Sequence, residues 1–232
     1  MIEEPPLLTI RRRTRRPTAA QVDAFRDAPT GFVVDAMDGR GALWARIGPL
    51  GDGAAADRTV AGPALTAENR PGDVLATAAA LKLVEAGDVL VVATDGYQGC
   101  ACAGDRILGM LGNAGGVALV ADGPLRDHAG MARIGVPVWC TGLTPGSPVT
   151  SGPGRVGVPV QVGGQRVADG DLIVADRDGV VVVPFEEIDA VAARLPAIRA
   201  LEASLDAEID GGRRSIDAID ALVDSDRTVW ID

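Results

Sequence analysis

Histidine and lysine are all but missing from this chain, with His128 and Lys82 the single examples of each. That scarcity excludes a zinc site built from several Cys and His ligands. Any Ser–His–Asp or Cys–His mechanism would have to use His128, and any Schiff base would have to use Lys82. Cysteine is limited to Cys100, Cys102 and Cys140, an odd, low count that points to free thiols in a reducing cytoplasm. Aromatic residues make up only 3%, so the core must be built from Ala, Val, Leu and Ile. No run reaches the ~18 consecutive apolar residues that a bilayer-spanning helix needs, so no membrane association is expected. Positive charge is in deficit, with 22 Lys and Arg against 32 Asp and Glu and a net charge of −10. Non-specific nucleic-acid binding, which requires a basic face, is excluded as the main activity. Arg11, Arg12, Arg13, Arg15 and Arg16 cluster near the N-terminus, but no apolar segment follows to make a secretory or twin-arginine leader. We read residues 1–17 as a solvated arm, with a subunit contact or an acidic partner as the alternative.

What is present suits one domain with helical ends. The chain has 232 residues, 47% apolar and 23% charged, enough for a substantial core. Thr18 is placed to cap a first helix and Thr30 a second, and residues 46–58 read as a loop. Val60–Ala67 reads as a strand, the Pro71-Gly72-Asp73 turn leads into a helix over 76–86 closed by Gly87, and Lys82 is a solvated residue on that helix. Val89–Ala93 and Val117–Ala121 are continuous apolar runs, as strands buried on both faces should be. A helix starts near Asp105, another covers 128–134, and Val136–Thr141 is a further strand. Four short β segments follow, at 156–162, 165–167, 171–175 and 179–184, separated by Gly- and Asp-rich turns. A last helix begins near Glu186, carries an apolar stripe from Ile188 to Leu205, and should kink or break at Pro196. A final short helix is expected over 215–223, after the Gly211-Gly212 hinge. The order predicts a layered α/β domain over 18–205, a mixed sheet folded onto a second sheet with flanking helices, and a C-terminal extension over 206–232.

Two motif matches lack their context. Gly152-Pro-Gly154-Arg-Val-Gly157 satisfies the dinucleotide pattern but leads into a strand, where no helix N-terminus can receive a pyrophosphate. Asp176-Arg-Asp178-Gly179 opens like a calcium loop and then lacks its later ligands, so a hairpin turn is the better reading. The informative stretch runs from Gly104-Asp105 to Asp122-Gly123-Pro124-Leu125-Arg126-Asp127. Asp105 opens a helix that it is placed to cap, and the same helix start offers free N–H groups to an anion. Arg126-Asp127 follows a buried strand and a tight turn, where α/β sheets bind ligands. An Arg there can clamp a carboxylate, and the adjacent Asp can ligate a hard divalent cation. The stretch is read as a carboxylate plus Mg²⁺ site or, alternatively, as a structural Arg–Asp pair.

An acidic residue, twenty intervening residues and then Arg-Asp resembles the 4-hydroxy-4-methyl-2-oxoglutarate aldolase family, also called ribonuclease-E-regulator-like (RraA-like). Here the pattern is Asp105 followed by Arg126-Asp127. The surrounding text agrees: Gly62-Pro63-Ala64, Pro71-Gly72-Asp73, Gly87-Asp88, Gly115-Gly116-Val117, Asp122-Gly123, and Gly170-Asp171 through Asp176-Arg177-Asp178-Gly179 to Pro184. The resemblance covers roughly residues 20–205. It implies a β/β/α fold of the swivelling-domain type, assembled as a homotrimer or homohexamer, and a class II aldolase that releases pyruvate from a 4-hydroxy-2-oxo acid through a metal-stabilised enolate, with oxaloacetate decarboxylation as a related activity. It further implies that Arg126 holds the pyruvyl carboxylate and that the amides of Arg106 and Ile107 assist it. Asp127 would ligate Mg²⁺ or Mn²⁺, and Asp105 would orient a metal-bound water as general base. His128 is read as a solvated helix-start residue, with a substrate contact as the alternative.

The sequence also departs from the family. Val74 and Ala78 stand where many members have Asn and His. The loop over 93–102, which usually lines the site, carries Asp95, Tyr97 and Gln98 here, with Cys100 and Cys102 read as filler rather than pocket thiols. Two other functions compete: a non-enzymatic regulator binding a ribonuclease or another protein, and a related metal-dependent lyase or hydrolase acting on a different organic acid. The regulators generally lack the Asp after the Arg, so Asp127 favours catalysis.

Overall fold

The computed structural model describes residues 6–51 and 59–231. In chain order the elements are β1 (Leu8–Ile10), α1 (Ala19–Asp23), α2 (Thr30–Ala36), β2 (Gly48–Pro49), β3 (Val60–Asn69), α3 (Leu75–Ala80), β4 (Val89–Ala93), α4 (Asp105–Asn113), β5 (Ala118–Ala121), α5 (His128–Ile134) and β6 (Val138–Cys140). They continue with β7 (Gly154–Val156), β8 (Val160–Val162), β9 (Gln165–Val167), β10 (Leu172–Asp176), β11 (Gly179–Val183), α6 (Ile188–Asp210) and α7 (Asp217–Val223). Two compact units divide at Leu195 and Pro196.

In the first unit the strands run β1-β7-β3-β4-β5-β6-β2, with β3, β4, β5 and β6 parallel. Strand β3 belongs to two layers. Its first half, Val60–Pro63, pairs antiparallel with β10, and its second half, Ala64–Glu68, pairs parallel with β4. Strand β10 continues into β11 through the Asp176–Gly179 turn, the hairpin expected in place of a calcium loop.

Alternation along β4 and β5 explains the layering, because successive strand residues point to opposite faces. Leu90, Val92 and Leu119 pack with Leu108 and Leu111 of α4 and Met131 of α5. Val89, Val91 and Val120 pack the other way, with Val160, Val162, Val167, Ile173, Val180 and Val182. The central strands are buried on both faces, and each fully buried Val or Leu contributes roughly 1.5–3 kcal/mol. This is the predicted β/β/α arrangement, a mixed sheet with helices on one side and a second β layer on the other.

Several local expectations are corrected. The arm is only partly solvated: Arg11 and Arg12 stay exposed, but β1 pairs with β7, and Arg13, Arg15 and Arg16 are spent on carboxylates. Arg13 donates to both oxygens of Asp88 at 3.1 Å and to both oxygens of Asp169 at 3.2 Å. Arg15 meets Asp171 at 3.1 Å and stacks over Phe185. These acids are largely inaccessible to water, so they require cations, and the arm supplies them. Thr18 caps α1 through a capping box with Gln21, as expected, but Thr30 does not cap α2; its hydroxyl donates to Asp176 at 2.7 Å. The helix expected over 76–86 ends at Ala80 and tightens into a 3₁₀ turn, Leu81–Leu83. Residues 156–162 are not one strand but β7 and β8, separated by Gly157 at φ 73°. Helix α6 continues through Pro196, and only Ile188, Val191 and Leu195 of its stripe are buried. Of the loop expected over 46–58, Gly48–Pro49 forms β2, and residues 52–58 lie outside the described residues.

Candidate active site

The site forms where two loops leave neighbouring parallel strands. One loop runs from β4 to α4 and the other from β5 to α5. The buried carboxylate of Asp122, at the end of β5, holds the first loop. It accepts from Thr94 N at 2.7 Å, Thr94 Oγ1 at 2.8 Å and Gly96 N at 2.9 Å. Backbone bonds then tie the loops to each other, Cys102 N to Pro124 O at 2.9 Å and Arg126 N to Ala103 O at 3.2 Å. Asp105 and the Arg126-Asp127 pair are thereby brought to one place.

A cavity of about 350 Å³ opens there, lined by Gly104, Asp105, Arg106, Ile107, Arg126 and Asp127. All five residues singled out from the sequence border it, and Gly104 completes the set. The expected cap is a correction: Gly104 occupies the N-cap position of α4, and Asp105 is the first helical residue with no capping bond. The helix start therefore leaves its amide donors free toward the cavity. Leu108 and Leu111, one turn apart, anchor α4 to the core.

Two glycines permit the close approach. A Cβ on Gly104 would lie 2.7 Å from Asp127 Oδ2, and one on Gly130 would lie 2.3 Å from Asp105 Oδ2. Asp127 itself takes the left-handed conformation at φ 64°, which turns its carboxylate back beside Arg126, with Nε to Oδ2 at 3.3 Å. Such a conformation in a residue other than glycine carries strain of the kind that collects at functional sites. Arg126 Nη1 also donates to Ser147 Oγ at 2.9 Å. Sequence reasoning missed Ser147 and the role of Gly130; no pattern around either residue signals it.

His128 is exposed and borders an adjoining recess of about 330 Å³ with Leu143, Thr144 and Pro145. Lys82 is exposed. Cys102 and Cys140 are buried, and desolvation raises both thiols, which keeps them protonated and unreactive. The 93–102 loop does not line this cavity. Gln98 is engaged with Asp122 O and Thr141, and Asp95 faces a different cleft.

Among the described residues no group of three or more His, Cys, Asp or Glu is arranged to hold a metal ion. Asp105 and Asp127 nonetheless place two hard oxygen donors on one cavity. That donor set fits Mg²⁺ or Mn²⁺, since Mg²⁺ is commonly held by one or two carboxylates with water and substrate oxygens completing its shell. No helix among the described residues is long and apolar enough to cross a membrane.

Comparison with known proteins places the chain in a family. The family model described as "RraA-like: Aldolase/RraA" matches residues 30–182. A protein of Halalkalibacterium halodurans named "Putative 4-hydroxy-4-methyl-2-oxoglutarate aldolase" is 37% identical over 163 residues, 70% of this chain and 76% of that protein. Among solved structures, RraAS2 of Streptomyces coelicolor, titled an unusual member of the RNase ES inhibitor RraA protein family, is 30% identical with a TM-score of 0.72, over 83% of this chain and 100% of that one. An uncharacterized protein of Pseudomonas syringae is 25% identical with a TM-score of 0.76, over 88% and 94% of the two chains. With more than half its length matched by the family model and two such relatives alongside, the chain belongs to the RraA-like family.

Proposed function

We propose that the protein is a divalent-metal-dependent carbon–carbon lyase that cleaves a 4-hydroxy-2-oxo acid to release pyruvate, and that oxaloacetate decarboxylation runs at the same site. The observation that carries this reading is the convergence of Asp105, Arg126, Asp127 and the free start of α4 on one small cavity. The reading keeps the chemistry within residues 18–205 and assigns the chain to a homotrimer or homohexamer in the cytoplasm.

The Arg126 guanidinium clamps the substrate carboxylate, and the amides of Arg106 and Ile107 add donors from the positive end of α4. Ser147 and Asp127 hold the guanidinium from two sides, which fixes its direction before substrate arrives. Asp127 would hold Mg²⁺ or Mn²⁺, which when bound supplies Lewis acidity to the 2-oxo acid. The Asp105 carboxylate draws the proton from the C4 hydroxyl through a water as the carbon–carbon bond breaks. The electron pair moves into the pyruvyl fragment, its negative charge is met by Arg126, and return of the proton from that water to C3 gives pyruvate. Loss of carbon dioxide from oxaloacetate leaves the same pyruvyl enolate, so both activities draw on the same residues. No lysine or histidine enters these steps.

Arg126→Ala and Asp127→Ala test the assignment. Each should lower kcat/KM for pyruvate release by at least ~10²-fold, about 2.7 kcal/mol, while the chain still unfolds in one cooperative transition. Near-normal turnover in either variant contradicts it. Similarity to RNase ES inhibitor relatives supports a second reading, a regulator that binds a ribonuclease. Ribonuclease inhibition by the wild type that persists in Asp127→Ala, with no lyase activity, would favour it.

A further inference from the structure

We propose that a second cleft, at the carboxyl ends of β3 and β4, binds a small multivalent oxyanion, a carboxylate or a phosphate. The cleft measures about 650 Å³, within the range of small-molecule sites. Glu68, Asn69 and Arg70 reach it from the end of β3, and Ala93 and Asp95 from the end of β4. Ligands of α/β sheets collect at this edge of parallel strands. The opposite wall carries Gln161 and Arg166, register partners across β8 and β9.

Three guanidiniums line the cleft, and they differ in what they already hold. Arg155 is spent on Glu68, its neighbour across β3 and β7. Among the described residues Arg70 approaches only Asp73, at 3.6 Å, and that carboxylate already accepts from the backbone N–H groups of Leu75, Ser151 and Gly152. Arg166 has no ion pair and no hydrogen bond among the described residues. Two guanidiniums with unspent donors thus border one cavity. A planar guanidinium fork matches the oxygens of a carboxylate or phosphate, and two forks match a dianion. Asp95 borders the cleft in the left-handed conformation, φ 56°, a second strained non-glycine residue beside a cavity.

Isothermal titration of the full chain carrying Arg126→Ala tests the proposal, because that substitution removes competing anion binding at the Asp105 cavity. The probes are malonate and inorganic phosphate. The result expected is saturable binding of one equivalent per chain, weakened ~10-fold or more by adding Arg166→Ala or Arg70→Ala. Both side chains are exposed, so neither substitution should lower the melting temperature. In the wild-type chain, Arg166→Ala should remove one of two binding events, which keeps the test valid if Arg126→Ala folds poorly. Tighter malonate binding would identify a carboxylate occupant and tighter phosphate binding a phosphoester; either supports the site. No binding of either probe, or binding indifferent to both Arg166→Ala and Arg70→Ala, overturns it.

Discussion

Replacing Arg13 with Met would remove one of three cations that hold the N-terminal arm to the body of the fold. The side chain is 13% exposed, and its partners Asp88 and Asp169 are 0% and 9% exposed. The substitution keeps much of the aliphatic volume and deletes the hydrogen bonds to both carboxylates. Asp88 retains Arg16 and the amide of Glu85, whereas Asp169 has Arg13 as its one cation among the ion pairs of the described residues. Leaving one member of a buried pair without its partner costs about 3–5 kcal/mol. For a protein of this size that corresponds to a loss of roughly 6–20 °C in Tm. Urea and thermal unfolding at pH 7 would read it, with Asp169→Asn and the double variant closing a cycle. The double variant should be more stable than the summed single losses by at least ~1.5 kcal/mol. Burial raises Asp169 above the ordinary carboxylate value of 3.8 even with Arg13 in place, and without Arg13 it should rise further. A raised carboxyl favours the fold at low pH and loses that contribution as pH rises through its folded value. The deficit of Arg13→Met should therefore narrow as pH falls toward 4. A loss below ~1 kcal/mol, the range of exposed ion pairs, would refute the reasoning and return the arm to solvent.

Other outcomes follow from the same contacts. Gly130→Ala, whose Cβ would meet Asp105 Oδ2 at 2.3 Å and Asp105 Cβ at 2.7 Å, should displace that carboxylate and the start of α4, lowering kcat/KM by ~10²-fold together with Tm, as steady-state kinetics beside a thermal melt would show. Ser147→Ala removes the donor-acceptor partner of Arg126 and should raise KM more than it lowers kcat, because the guanidinium is still present but less fixed. For Asp73, burial pushes the carboxyl up, but the backbone donors of Leu75, Ser151 and Gly152 outweigh it and hold it below 3.8. Its contribution is present above that value and lost as pH falls through the lower folded one, so Asp73→Ala should cost ~2–4 kcal/mol at pH 7, a deficit that narrows as pH falls through the lowered value, measured by urea unfolding.

The parts of the fold legible from sequence are those set by local pattern. The continuous apolar runs of β4 and β5 are buried on both faces because the chain surrounds them with helices and a second β layer, and no nearby residue contradicts that reading. The site was legible for the same reason: Asp105 and Arg126 both follow such strands, and parallel strands carry their following loops to one edge. The misreadings come from partners far away in sequence. Arg13 reads as solvated until Asp88 and Asp169 arrive from 75 and 156 positions on. Thr30 has the side chain of a cap, but Asp176, 146 positions later, takes its hydroxyl. Residues 76–86 have helical composition, yet Val84 is extended and the chain turns toward β4. Ser147 lies in an irregular segment with no periodicity, so nothing local could tie it to Arg126.

The central claim is that these residues carry out metal-dependent release of pyruvate. Its most direct test is a coupled pyruvate assay on the purified full chain, with 4-hydroxy-4-methyl-2-oxoglutarate and with oxaloacetate, in Mg²⁺ and then in EDTA. Release from at least one of the two acids is expected in Mg²⁺, abolished by EDTA and restored by added metal. Absence of release from both acids with Mg²⁺ present, or release that EDTA leaves unchanged, would contradict it.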